Sequence, residues 1–401
     1  MITSSVPRSG PAAQDGSDRR PATRRLWNEA PQGLLRALML FAAVRLCGVA
    51  AMVVTNQLTH RPLVQSLAHS WDSKWYLHIA VHGYGSLVQV TSSGAVQTDW
   101  AFFPLYPGLI RGLITVLPLT PGAAGLLVSW AAAVVAAWGI YAIGHQFYGR
   151  GVATALVCLW AALPHSVVLG IAYTESVFSA LAAWSLYCVL NGRWLWAGAL
   201  AVLAGLSRPS GFVVALAVAA ACAQEAIRRR GRVGPGVWVG AAVGPLGWIG
   251  YVWWVGQRTG DPWRGYFHVQ DAWNSRFDFG AGSLLFLKAL FLHGGRVVYP
   301  TALAIIAVGL LLFCLLCLER PPLPLLVFAG ALVLLVLGAS GPFSSKPRFL
   351  VPAFPLLIPW ARALVRAWRA RAAQALLVSG FLAAVSLLYG AYLTSFAHAA
   401  L

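Results

Sequence analysis

Acidic side chains are scarce in this sequence. Its 401 residues include 11 Asp and Glu against 29 Lys and Arg, and all charged residues together make up only 10% of the chain. So little charge, combined with 59% hydrophobic residues and a mean hydropathy of +0.71, lies far outside the soluble range. The composition therefore excludes a soluble globular protein and predicts an all-α polytopic membrane protein.

The position of the few acidic residues is also informative. None of them falls inside a long apolar stretch. Carriers driven by protons or sodium ions usually place acidic groups near the bilayer midplane, so their absence there disfavours coupled transport. The six cysteines all lie in apolar runs, which disfavours a disulfide framework.

Basic residues give the chain a net charge of +18. They gather between apolar stretches, as the positive-inside rule describes, so we interpret them as topology signals and expect no nucleic-acid partner. Residues 1–31 are rich in Ser, Pro, Arg and Gly and are expected to form a disordered cytoplasmic arm. Residues 32–401 form the predicted membrane domain.

The membrane domain contains about eleven candidate crossings. Arg45 lies in the middle of the first one, where a charge requires a protein or water partner that the sequence does not identify. Residues 102–118 are short for a crossing and contain Arg111, so we expect an interfacial helix there. The predicted crossings are 34–54, 122–143, 152–169, 177–190, 195–206, 212–226, 238–255, 297–318, 323–337, 349–364 and 375–393.

With the arm in the cytoplasm, this order of crossings predicts two large outer loops, over residues about 56–120 and 257–296. Beyond those in the arm and at cytoplasmic helix ends, the acidic residues all fall on the outer side. The sequence therefore indicates chemistry at the extracytoplasmic membrane surface. These outer acidic residues are Asp72, Asp99, Glu175, Asp261, Asp271 and Asp278.

The segment 70–84 follows the first predicted crossing and is the most unusual part of the sequence. It combines the carboxylate of Asp72 with Lys74 and four aromatic residues, Trp71, Trp75, Tyr76 and Tyr84. On the residues alone Asp72 is a candidate helix N-cap, because Ser-Trp-Asp-Ser precedes a helical run.

Several short motifs occur in a fixed order between residues 34 and 360. Together they resemble the PIG-V family of mannosyltransferases, which have the GT-C glycosyltransferase fold. The motifs are Ser70-Trp71-Asp72 with Trp75-Tyr76 and Gly83-Tyr84, Phe102-Phe103-Pro104-Leu105-Tyr106-Pro107, Tyr173-Thr174-Glu175-Ser176, Arg208-Pro209-Ser210-Gly211, Gln270 with Trp273, and Pro347-Arg348-Phe349 with Pro352.

The resemblance implies an inverting glycosyltransferase. It implies transfer of mannose from a polyprenyl-phosphate-mannose donor to a lipid-linked glycan or protein acceptor at the extracytoplasmic face. Inversion by a single displacement needs one base, and the resemblance assigns that role to Asp72. No Asp-x-Asp pair is present, and we expect no metal or other cofactor.

The leaving phosphate needs cations on the outer side, where the positive-inside rule makes them less common. Arg208, Lys346 and Arg348 are predicted there and, with Lys74, are candidate ligands of the donor phosphate. Lys346 and Arg348 are alternatively ligands of lipid headgroups, and Lys74 is alternatively an ordinary interfacial lysine.

Substrate contacts are predicted for Trp71, Trp75 and Tyr76 in the first outer loop. Glu175 is a candidate for substrate binding or for a helix cap. In the second outer loop, Gln270 and Trp273 are candidate sugar contacts through hydrogen bonding and stacking. His268 joins this set, and its i, i+3 spacing to Asp271 is only a weak metal signal because no third ligand stands at a fixed spacing.

Two other functions fit the same sequence. One is transfer of a different lipid-linked sugar by the same fold. The other is a non-enzymatic lipid or polymer flippase or transporter, which the number of crossings favours and the outer motif cluster disfavours. The acceptor, the exact sugar, the carrier chain length and the oligomeric state are left open by the sequence.

Overall fold

The computed structural model describes residues 31–60, 62–91 and 94–397. The predicted cytoplasmic arm lies outside the described residues except for its last position, Pro31, where the first helix begins. The helices are α1 (Pro31–Leu58), α2 (Leu63–Ala68), α3 (Ser73–His82), α4 (Leu105–Val116), α5 (Pro121–Ala161), α6 (Glu175–Leu190), α7 (Trp194–Gly205), α8 (Phe212–Arg228), α9 (Pro235–Val243), α10 (Leu246–Thr259), α11 (Gly265–Ala272), α12 (Ala281–His293), α13 (Val298–Leu318), α14 (Leu323–Gly338), α15 (Ile358–Ala370) and α16 (Ala372–Ser395).

Five helices of the described residues are long and apolar enough to cross a membrane by length and composition. A sixth crossing results if the 3-10 helix Phe343–Leu350 and the helical stretch Phe354–Ala370, which meet at 77°, form one bent span. Other apolar helices are shorter, with 10–17 residues. The five are Gln32–Leu58, Pro121–Ala161, Pro209–Arg228, Val298–Leu318 and Ala372–Ser395.

Each of the eleven predicted crossings nevertheless overlaps a helix or helix pair. Helix α5 contains the predicted crossing 122–143 and the first part of 152–169, and it ends at Ala161. Gly149, with φ 80° and ψ 172°, interrupts the helical backbone between the two. Helix α6 has 16 residues and is about 24 Å long, shorter than a hydrocarbon core of ~30 Å. The helical architecture is confirmed, whereas the direction of each crossing stays a prediction.

The first predicted outer loop is mostly ordered secondary structure. A two-stranded antiparallel hairpin pairs Val88–Val90 with Val96–Thr98, in the register Val88 opposite Thr98. Buried Asp99 follows the second strand and accepts hydrogen bonds from the backbone N–H groups of Gly85 and Leu87. The expected helix over 102–118 is present as α4, whose 12 residues are about 18 Å long.

The backbone of helix α7 lies in direct contact with the backbones of neighbouring elements. A Cβ placed on Gly205 would lie 2.7 Å from the backbone nitrogen of Trp248, and one on Gly211 would lie 2.1 Å from the carbonyl oxygen of Ala204. Real Cβ atoms essentially never approach that closely. Small residues therefore allow α7, α10 and the turn after α7 to pack tightly, as in other membrane proteins.

Arg45 has partners in the structure that its sequence position did not reveal. Its guanidinium Nη1 donates to the carbonyl oxygen of Ala161 at 3.2 Å and to Ser166 Oγ at 2.8 Å. Ala161 is the last residue of α5, so the arginine satisfies one of the carbonyl groups left unpaired at that helix end. This contact joins α1 to the loop that leads to α6.

Candidate functional site

The backbone before Asp72 is strained. Trp71 has φ 45°, in the left-handed region that bulky residues rarely adopt. Asp72 then stands at the N-cap position of α3, but its side chain makes no capping hydrogen bond. Its backbone N–H instead donates to the hydroxyl of Tyr173 at 3.2 Å. The side chain is therefore free of the capping role that the sequence left open.

The carboxylate of Asp72 forms an ion pair with Arg348. Asp72 Oδ2 lies 2.8 Å from Arg348 Nη1, and the two side chains are 23% and 12% exposed. The 3-10 helix Phe343–Leu350 carries the arginine. Its guanidinium lies 5.5 Å from the ring centroid of Tyr173 and 5.1 Å from that of Phe349. These aromatic faces hold the cation beside the carboxylate.

A second ion pair lies directly behind the first. Glu175 Oε1 is 2.8 Å from Arg208 Nη1, and these side chains are only 1% and 5% exposed. The same carboxylate oxygen is 3.9 Å from Nε of Arg348. Glu175 opens α6, where the helix N-terminus also favours a negative charge. Asp72, Arg348, Glu175 and Arg208 thus form one continuous network, called the charge cluster below.

The charge cluster has polar atoms without a well-aligned hydrogen bond within the described part of the chain. They are Nε of Arg208, Nε of Arg348 and Oε2 of Glu175, whereas Nη1 of each arginine is occupied by its ion pair. Buried donors of this kind are normally satisfied, because an unpaired buried polar group is unfavourable. Two guanidinium groups with such donors side by side provide a site for an anion with several oxygen atoms.

Aromatic side chains surround the start of α3. Trp75 stacks on Phe102 with ring centroids 5.6 Å apart, and the edge of Trp273 meets Trp75 at 5.0 Å. The hydroxyl of Tyr76, which is buried, lies 3.5 Å from Thr174 Oγ1. Trp71 is half-buried. The structure therefore brings together the aromatic residues of the two predicted outer loops.

Gln270 and Trp273 hold α11 against the first outer loop. The Gln270 amide donates to the carbonyl oxygen of Ala101 at 3.1 Å and to the Tyr266 hydroxyl at 2.8 Å, and its side chain is buried. The indole N–H of Trp273 donates to the carbonyl oxygen of Thr98 at 3.3 Å. Both polar groups that the sequence proposed as sugar contacts are thus engaged with the protein.

The hydrogen bonds of the two candidate lysines are with residues outside the charge cluster. Lys74 is exposed and donates to Gln89 of the hairpin at 3.3 Å. Lys346 is buried, and its ammonium group donates to Ser283 Oγ and to the carbonyl oxygens of Val336 and Ala339. These three partners match the three protons of a lysine. Lys346 therefore joins the end of α14 to the start of α12.

His268 is exposed on α11. The residues that the structure describes contain no group of three or more His, Cys, Asp or Glu side chains able to hold a metal ion. Asp271, its candidate co-ligand, is instead 3.7 Å from Arg276 Nε.

Sequence reasoning named Tyr173 only as part of a family motif, without a role, and did not select His165. Tyr173 contacts both the backbone of Asp72 and the guanidinium of Arg348, and its position two residues before Glu175 was the available signal. His165 is fully buried in the loop between α5 and α6.

No protein-family model and no curated protein sequence matches this chain. The oligosaccharyltransferase of Archaeoglobus fulgidus in the apo form aligns with a TM-score of 0.54 and 16% identity, over 94% of this chain and 57% of its own. The same protein tethered with an acceptor peptide aligns with a TM-score of 0.50 and 13% identity, over 90% and 56%. ArnT from Cupriavidus metallidurans bound to undecaprenyl phosphate aligns with a TM-score of 0.48 and 14% identity, over 89% and 75%.

This chain spans a little more than half the length of the archaeal oligosaccharyltransferase that it matches. Identities of this size show likeness of fold alone. The chain is an all-α membrane protein with a GT-C glycosyltransferase-like fold, as the sequence predicted.

Proposed function

We propose that this chain is an inverting glycosyltransferase that moves a sugar from a polyprenyl-phosphate carrier to an acceptor hydroxyl. The observation that carries the proposal is the ion pair between Asp72 and Arg348, backed by Glu175 and Arg208. It combines an accessible carboxylate with two buried cations whose Nε groups lack a hydrogen-bond partner among the described residues. The fold supports this chemistry, because the archaeal protein of the same fold is named as an oligosaccharyltransferase.

The proposed reaction is a single displacement at the anomeric carbon. Asp72 accepts the proton of the acceptor hydroxyl while the acceptor oxygen forms the new bond to the anomeric carbon. The bond from that carbon to the phosphate oxygen breaks, and its electron pair stays on the phosphate. Asp72 Oδ1 is the available proton acceptor, because Oδ2 already contacts Arg348.

The other residues of the charge cluster have distinct proposed roles. Arg208 and Arg348 are the proposed phosphate ligands, through N–H groups other than the Nη1 atoms that pair with the carboxylates. Glu175 is 1% exposed, so it holds both guanidinium groups in place without reaching the substrate. Half-buried Trp71 and Trp273 are the proposed aromatic contacts for the sugar, and substrate contacts by the buried Trp75 and Tyr76 stay predictions from the sequence. Phosphate or sugar contacts by Lys74, Lys346, Gln270 and His268 stay predictions from the sequence.

The sugar and the membrane face are finer points of the same proposal. Mannose follows from the resemblance to the PIG-V family, and a lipid-linked glycan or a protein is the proposed acceptor. The extracytoplasmic face follows from the distribution of basic residues along the chain, which places the segment 70–84 after an outward first crossing. The proposal thus describes a multi-pass enzyme of the cell membrane with a cytoplasmic N-terminus.

A transfer assay tests the proposal. Membranes containing the protein are incubated with radiolabelled polyprenyl-phosphate-mannose, and in parallel with donors carrying other sugars. We expect labelled glycan and free polyprenyl phosphate in equal amounts, and most product from the mannose donor. Product from a donor with another sugar, and none from the mannose donor, would overturn the assignment of mannose but not the proposed transferase function. Reconstituted vesicles that move a lipid across the bilayer without forming any glycosidic product would overturn the transferase in favour of a transporter.

A further inference from the structure

Arg348 contacts more than one charged group, and this sets it apart from the other arginine of the charge cluster. Arg208 is matched with Glu175 at 2.8 Å, and that pair is almost completely buried. Arg348 lies 2.8 Å from Asp72 and 3.9 Å from Glu175, in the more exposed half of the cluster. An anion that enters from solvent therefore meets Arg348 while Arg348 is still bound to the candidate base.

We propose that Arg348 is a shared counter-ion that changes partners, from Asp72 in the empty site to the carrier phosphate during transfer. This inference rests on the proposed function and adds to it a coupling between donor binding and the base. The faces of Tyr173 and Phe349 hold the guanidinium, so the edge that carries its N–H groups turns from one oxygen acceptor to the other.

Charge bookkeeping over the reaction supports the change of partner. In the empty site, two carboxylates and two guanidinium groups give the cluster a formal charge of zero. A polyprenyl-phosphate sugar brings one negative charge. When the bond to the sugar breaks, Asp72 loses its charge to the acceptor proton and the phosphate gains a second one. Arg348 contacts Asp72, whose negative charge disappears, and is proposed to pair with the phosphate, whose negative charge grows. Its interaction with the phosphate is therefore stronger in the transition state than in the ground state.

This arrangement makes Asp72 a competitor of the phosphate. Two anions that share one cation weaken each other's interaction with it, and the coupling is reciprocal by thermodynamic linkage. Removing the charge of Asp72 should therefore slow transfer strongly and at the same time tighten phosphate binding. A residue that acted only as a base would show the first effect without the second.

The test measures binding of a short-chain polyprenyl phosphate to purified protein in detergent by calorimetry, with the matching uncharged polyprenol as reference for the lipid tail. We expect Asp72→Asn to bind the phosphate at least about fivefold more tightly than the wild type. Asp72→Ser should show the same gain. Thermal unfolding of each variant verifies that the measured protein is folded.

A double-mutant cycle separates the shared counter-ion from simple repulsion. Arg348→Gln should weaken phosphate binding. In that background, the additional Asp72→Asn substitution should not tighten phosphate binding. An equal or weaker affinity in Asp72→Asn, or a full gain in the Arg348→Gln background, would overturn the inference. Wild-type protein that binds the phosphate no better than the polyprenol would overturn it together with the proposed function. The expected coupling without any glycosidic product from any donor would remove the proposed function alone.

Discussion

The charge cluster and the second predicted outer loop, residues 257–296, contain the same kinds of residue but differ in how these residues are paired. In the loop, Asp261 accepts hydrogen bonds from the backbone N–H groups of Trp263 and Arg264, which lower its pKa. Asp278 likewise accepts from Gly280 and Gly282. The Arg276–Asp271 pair spans 3.7 Å, with side chains 61% and 46% exposed.

In the charge cluster, by contrast, the carboxylates contact guanidinium groups and all four side chains are less than a quarter exposed. An exposed pair contributes about 0–1 kcal/mol, whereas breaking a buried one is strongly unfavourable. Burial and the type of partner therefore distinguish a candidate reaction centre from loop structure. Either region alone would look like a functional cluster in the sequence.

The largest expected effect separates the two regions by activity. Asp72→Asn should lower the rate of sugar transfer at saturating donor by roughly 10²- to 10⁴-fold, because it removes the general base. Asp271→Asn is the matched control in the second outer loop and should change the rate by less than about twofold. Transfer assays on membranes with equal amounts of each protein measure both. Comparable losses in the two variants would contradict the distinction.

The next effect concerns stability. Glu175→Gln removes the anion between two buried guanidinium groups and should lower the free energy of unfolding by about 3–5 kcal/mol. Asp271→Asn should lower it by less than about 1 kcal/mol, because its partner is exposed. Denaturant unfolding in detergent, followed by tryptophan fluorescence, gives both values. A Glu175→Gln protein as stable as the wild type would show that the buried arginines do not depend on this carboxylate.

A smaller effect is expected at Lys346. Lys346→Met keeps the length of the side chain but leaves acceptors on Ser283, Val336 and Ala339 unpaired, so unfolding should require about 1–3 kcal/mol less. The donor KM should stay within about twofold of the wild-type value, because the ammonium is already engaged. Lys74→Met serves as the exposed control. A raised donor KM with unchanged stability would instead support the predicted contact between Lys346 and the donor phosphate.

The sequence predicted much of the helical framework because apolar stretches report directly on membrane helices. It also selected Asp72, Glu175, Arg208 and Arg348, which the structure brings together. The two arginines drew attention because they ran against the expected distribution of positive charge. Their roles in catalysis stay predictions, whereas their proximity is a property of the fold.

Other features were beyond the reach of sequence because they depend on which segments meet. The contact between Arg45 and the end of α5 joins residues 116 positions apart, and the Asp72–Tyr173 contact joins residues 101 apart. The position of Lys346 in the sequence did not indicate that its ammonium group would donate hydrogen bonds to carbonyl oxygens at the end of α14. Gln270 matched a family motif, yet motif membership does not reveal whether an amide faces substrate or backbone.

The close packing around Gly205 and Gly211 has a consequence for natural variation in this protein. Arg208 lies between these glycines, so a single added methyl group at either position would displace the arginine's main chain without altering any polar atom. Harmful substitutions near the reaction centre should then include conservative-looking exchanges such as Gly205→Ala. Surveys that rank variants by lost charge or polarity would overlook them, while those that rank by bulk would find them.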